Sequence, residues 1–79
     1  MRLFVKNLPR LANQQALRSW FTRAGFQVTE VELVRGLPAD AQQGAGYVVI
    51  EDPDLARNAL QYLNGRFFWH RVLELREAE

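Results

Sequence analysis

The sequence predicts an α+β fold of the split βαβ, ferredoxin-like type, with the order β-α-β-β-α-β and a four-stranded antiparallel sheet carrying two helices on one face. Three observations predict it. Two apolar segments, Leu3 to Leu8 and Gln43 to Ile50, have the two-residue period of strands, and each sets one aromatic, Phe4 or Tyr47, opposite its aliphatic neighbours. Two other stretches, Asn13 to Ala24 and Pro53 to Leu63, repeat apolar residues at the spacing of a helix face. At 79 residues and 48% hydrophobic, the chain suffices for one core and is too short for two, so residues 1–79 are expected to form a single domain.

The first strand is expected over Arg2 to Asn7, with Leu3 and Val5 inward, and to end at Leu8-Pro9-Arg10 because proline cannot continue a ladder. Asn13 suits the N-cap of a helix to about Ala24, where Leu17, Trp20, Phe21 and Ala24 form the buried stripe and Gly25 supplies a left-handed stop. Gln27 to Arg35 reads as the second strand, with Val31 and Leu33 inward and Glu30, Glu32 and Val34 outward. Breakers between Gly36 and Gln42 mark a loop. The third strand is expected from Gly44 to Glu51. Asp52-Pro53-Asp54 then opens the second helix, since either acid can cap the first turn and proline fits an early position. Leu55, Ala59, Leu60 and Leu63 are its expected core stripe, and Asn64-Gly65 its end. The last extended segment runs from Phe67 to Glu77, with Phe68, Val72, Leu73 and Leu75 as core positions and Trp69-His70 at a turn.

Both helices on one side leave the other sheet face open. By alternation that face carries Phe4 and Lys6, Glu32 and Val34, Ala45, Tyr47 and Val49, and Glu74 and Arg76. Leu3, Val5, Val48 and Ile50 point the opposite way, into the core. Two aromatics left together on the open side call for a flat ligand, and unpaired nucleobases are the leading one.

Composition narrows the choice. Ten basic residues, nine of them arginine, against nine acids give a net charge of +1. Attraction to a polyanion grows with the phosphates neutralised, so any nucleic-acid binding must rest on a local patch and on stacking, with modest affinity. The absence of cysteine excludes disulfides and thiolate metal sites, and His70, the one histidine, has no second imidazole with which to hold zinc. No cofactor or metal is therefore expected. Asp52 and Asp54 have an electrostatic task at a helix start, and Ser19 is remote in sequence from His70, so no enzyme activity is expected. No apolar run is long enough for a bilayer, and the apolar start is broken by Lys6 and Asn7. The expected location is intracellular and cytoplasmic, with no membrane association.

Leu3-Phe4-Val5-Lys6-Asn7-Leu8 resembles the first-strand signature of the RNA recognition motif, the RNP-type RNA-binding domain: aliphatic-aromatic-aliphatic-any-Asn-Leu. Gln43-Gly44-Ala45-Gly46-Tyr47-Val48-Val49-Ile50 resembles its third-strand companion, Lys/Arg-Gly-aromatic-Gly/Ala-aromatic-Val-any-aromatic. The hexamer matches completely. The octamer departs at Gln43, which replaces the basic residue, and at Ala45 and Ile50, which replace aromatics.

This resemblance implies binding of short single-stranded RNA across the open sheet. Phe4 and Tyr47 would stack on bases, Lys6 and Arg76 would meet phosphates, and Arg2, Arg10 and Arg35 would line the rim. Asn7, Gln43, Glu32 and Glu74 would tune base choice through hydrogen bonds, with Val49 beside them on the face. Single-stranded DNA can stack in the same way. The missing ring at Ala45 implies binding weaker by roughly 1–2 kcal/mol, or about tenfold. A monomer is expected. A second reading is a protein-interaction module of the same fold: Arg66-Phe67-Phe68 resembles the Arg-any-Phe element of related domains that bind a tryptophan-bearing peptide or a partner domain. The first helix, with Arg18 and Arg23, lacks the acids those domains present.

Overall fold

Residues 1–34 and 43–78 are described by the computed structural model, and within them the expected order of elements is present with one addition. The elements are β1 (Arg2–Pro9), α1 (Gln14–Arg23), β2 (Glu30–Leu33), β3 (Gln43–Val49), α2 (Pro53–Leu63), β4 (Phe67–Phe68), β5 (Arg71–Val72) and β6 (Glu74–Ala78). Four strands form an antiparallel sheet in the order β2-β3-β1-β6, while β4 and β5 form a separate two-stranded hairpin. The two strands that carry Phe4 and Tyr47 are thus the central pair, although about forty residues separate them in sequence.

Local chemistry sets the helix ends. The Asn13 side-chain oxygen accepts a hydrogen bond from the Ala16 N–H at 2.8 Å, satisfying one of the donors left open at the start of α1. Gly25, at φ +96°, takes the left-handed position after that helix. Asp52 caps α2 through the N–H groups of Asp54 and Leu55, with Pro53 at the first position. At the far end, the Asn64 side chain accepts from the Leu75 N–H at 2.8 Å, which ties the end of α2 to β6.

Leu3 and Val5 of β1, Val48 of β3 and Leu75 of β6 pack with Leu17 and Phe21 of α1 and with Ala56, Ala59 and Leu63 of α2. Phe68 and Leu73 are buried with them. Trp20 and Ala24 are half-buried at the margin of this core.

Several expected positions are corrected. β1 does not end before Pro9. Asn7, at φ +68°, forms a bulge that shifts the register between Lys6 and Leu8, after which Leu8 re-enters the core and Pro9 aligns with Gln43. Pairing with β6 stops at Lys6, so proline sits where that ladder is already over. Leu55 is 48% exposed because the buried stripe of α2 is Ala56, Ala59 and Leu63, with Leu60 half-buried at its margin, one residue out of phase with Leu55. Val72 is 42% exposed because β5 belongs to the hairpin, whose turn is Trp69-His70 with Trp69 at φ +58°. β2 is shorter than expected, although Thr29 and Val34 extend its hydrogen bonding to Val49 and Ala45. β3 ends at Val49, two residues before Glu51. Arg35 and the loop from Gly36 to Gln42 lie outside the described residues.

Candidate nucleic-acid interface

Strand register arranges the open face in rows. In the central row Glu32, Tyr47, Phe4 and Arg76 lie side by side across β2, β3, β1 and β6. One row away lie Ala45, Lys6 and Glu74, and on the other side Glu30, Val49, Arg2 and Ala78. Phe4 and Tyr47 are direct cross-strand partners, with ring centroids 5.0 Å apart and planes tilted by 41°. Both are half-buried, while their inward neighbours Leu3, Val5 and Val48 are fully covered. The alternation of two strands therefore yields a pair of adjacent rings at the centre of a face of mixed charged and small apolar residues.

The charged residues of the face neutralise one another. Arg2 is 3.4 Å from Glu32, Lys6 is 3.7 Å from Glu74, and Arg76 is 2.8 Å from the same Glu74 oxygen. Arg2 also lies over the Tyr47 ring, its guanidinium carbon 3.9 Å from the centroid. The hydrogen bond from Arg76, and then the nearby charge of Lys6, hold the Glu74 carboxyl below the usual glutamate range. These pairs are solvent-exposed, so each adds little to stability and can be opened by a competing anion at small cost.

Asn7 does not point at the face as a free base-reading amide. Its side-chain nitrogen donates to the Val72 carbonyl at 2.8 Å, and its oxygen accepts from the Arg71 guanidinium at 3.2 and 2.8 Å. The bulge thus clamps the hairpin to β1 and fixes the Arg71 side chain. Arg71 is the charged residue that sequence reasoning missed. The signal was the asparagine itself, whose tolerance of positive φ and two-sided hydrogen bonding make it a clamp as readily as a contact. The backbone of Gln43 begins β3 opposite Pro9; the expectations for its side chain and for Arg35 fall outside what is described. Arg10 is exposed just beyond β1.

The Arg-any-Phe segment is engaged internally. Arg66 donates to the Tyr62 carbonyl at 2.9 Å and lies 4.3 Å over its ring. Phe68 is buried, with Trp20 edge-on at 5.7 Å and Trp69 stacked at 5.2 Å. The chain's own tryptophans pack on the phenylalanine that a ligand tryptophan would need.

Fold and face together define a class: a split βαβ domain whose helix-free sheet face carries a cross-strand pair of half-buried rings. Residues 3–74 match the RNA recognition motif, and the chain belongs to that family. It is 31% identical over 98% of its length to Multiple RNA-binding domain-containing protein 1 of Aspergillus fumigatus, covering 9% of that protein. It is 32% identical over 96% of its length to the human Cleavage stimulation factor subunit 2 tau variant, covering 12% of it. The chain therefore spans about a tenth of the length of these relatives. Among solved structures, the Mip6 RRM3 domain superposes with a TM-score of 0.86 at 19% identity, covering 99% of this chain and 92% of that one. RNA Binding Protein PG1 superposes at 0.82 with 28% identity, covering 99% and 93%. No described helix is long and apolar enough to cross a membrane.

Proposed function

We propose that residues 1–79 act as one monomeric domain that binds about two to four nucleotides of single-stranded RNA across the β2-β3-β1-β6 face. The observation that carries this reading is the Phe4–Tyr47 pair, cross-strand neighbours at 5.0 Å on the uncovered side of the sheet. Membership of the RNA recognition motif family supports it, as do relatives whose names describe RNA binding. Each ring would stack on one base, worth about 1–3 kcal/mol. Lys6 and Arg76 would turn from Glu74 to phosphate, with Arg2 at the rim, and Glu32 and Glu74 would accept hydrogen bonds from base amino groups. Asn7 would act indirectly, by holding Arg71. Stacking does not read the sugar, so single-stranded DNA is expected to bind as well.

The test is a titration with a degenerate pool of RNA tetranucleotides. Exchanging Phe4 and Tyr47 together for alanine is expected to weaken binding by about a hundredfold or more while leaving the fold intact. Equal binding by the variant and the parent rejects the stacking role. The peptide-binding alternative has weaker support, because Arg66 and Phe68 already have internal partners. Arg66→Ala should leave RNA affinity unchanged and would matter only if a tryptophan peptide were the ligand.

A further inference from the structure

Beyond the bulge, the chain forms a groove that the ring pair does not line. A groove of about 300 Å³ lies between Pro9, Arg10 and Leu11 on one side and Trp69, His70 and Arg71 on the other. Leu11 is 88% exposed and Trp69 58% exposed, both unusually high for large apolar side chains. The exposure of Trp69 has a definite form. One face of its indole is stacked on the buried Phe68 ring at 28° and 5.2 Å, so the ring is held while its other side meets solvent. Among the described groove residues there are two guanidinium groups and an imidazole, and no carboxylate. Arg71 is fixed by both bonds to Asn7, which adjoins Lys6 on the open face. Along β1, Asn7 is about 10 Å from Phe4.

We propose that this groove takes one further nucleotide of the strand bound on the sheet, with its base on Trp69 and Leu11 and its phosphate on Arg71 and Arg10. The inference rests on the RNA-binding reading above. A supported ring beside the fixed Arg71 and a second guanidinium, with no carboxylate among the described lining residues, matches a base joined to an anion. The size matches a single nucleotide, whereas a protein partner or a second copy needs some 800 Å² on each side. The tie between Asn7 and Arg71 then serves as a positioning contact that joins the two parts of the track.

The experiment compares degenerate RNA dinucleotides with tetranucleotides, followed by NMR on the intact chain. In the unmodified protein, tetranucleotides are expected to shift the Trp69 indole N–H and the Arg71 Nε–H, while dinucleotides shift only residues around Phe4 and Tyr47. Trp69→Ala should weaken tetranucleotide binding about tenfold and leave dinucleotide binding unchanged, and Trp69→Phe should restore most of the loss. Signals near Phe4 and Tyr47 that move while those of Trp69 and Arg71 stay still would overturn this inference alone. If none of them moves, both this site and the proposed function fail. Trp69 shifts that follow protein concentration without RNA would assign the groove to self-association and also reject the proposal.

Discussion

At the scale of single residues, Glu74 governs the open face. It holds both Lys6 and Arg76, and those two contacts lower its pKa in turn, Arg76 contributing first. Its folded value lies below its ordinary one, so whatever stability the contacts provide is present above the usual glutamate range and is lost only as pH falls through the depressed value. An NMR pH titration of the Glu74 side chain is expected to show a midpoint below that of an unstructured glutamate. Arg76→Ala should move the midpoint back upward, and by more than Lys6→Ala does. On the proposed reading the same carboxylate would compete with phosphate. Glu74→Gln is therefore expected to raise affinity for a degenerate RNA pool several-fold at low salt and to flatten discrimination among bases, as read by parallel titrations. Lower affinity would show that the carboxylate serves as a ligand group more than as a competitor.

At the scale of elements, strand spacing makes its own demands. A Cβ on Gly46 would lie 2.9 Å from the Glu32 carbonyl oxygen and 3.3 Å from a Leu33 methyl. That carbonyl belongs to the ladder that sets Glu32 beside Tyr47, so it cannot retreat without parting β2 from β3. Gly46→Ala is expected to cost about 1–3 kcal/mol in a denaturant melt, with signals of β2 and β3 shifting most. The element boundaries also show what was legible in the sequence. Phe4, Tyr47, the Asn13 and Asp52 caps and the Gly25 and Gly65 stops could be read because each follows from a local rule of period or backbone freedom. Pro9, Leu55 and Val72 could not. Pro9 is tolerated because the β6 ladder has already ended, Leu55 misses the core by one helical phase, and Val72 faces out because a short hairpin interrupts the final strand. Those facts depend on which element lies alongside, which a single chain read in order does not contain.

For the whole molecule, charge is the deciding quantity. With a net charge of +1 and each cation on the face paired to an acid, long-range attraction to a polyanion is weak, and affinity must come from short-range contact. If about two to four phosphates are neutralised, the logarithm of affinity should fall against that of salt with a slope of roughly −1.4 to −2.8. A much steeper slope in a salt series would mean that the arginines, and not the rings, dominate. The ring pair was visible in the sequence as two alternating segments, but the reciprocal ion pairing was not, because it depends on cross-strand register. Arg71 was hidden for the same reason: its link to Asn7 joins residues sixty-four apart.

The guanidinium over Tyr47 has one more consequence. A platform already roofed by Arg2, itself leaning on Glu32, is not vacant, and a base stacking there as proposed would reach it only by exchange. Calorimetry would then record the difference between two kinds of partner for one ring. Arg2→Ala removes a rim cation and at the same time unroofs the tyrosine, two effects of opposite sign and about 0.5–1 kcal/mol each. Its net effect on affinity should be smaller than that of Lys6→Ala, and a larger loss would show that Arg2 stays in place and clasps the base from above.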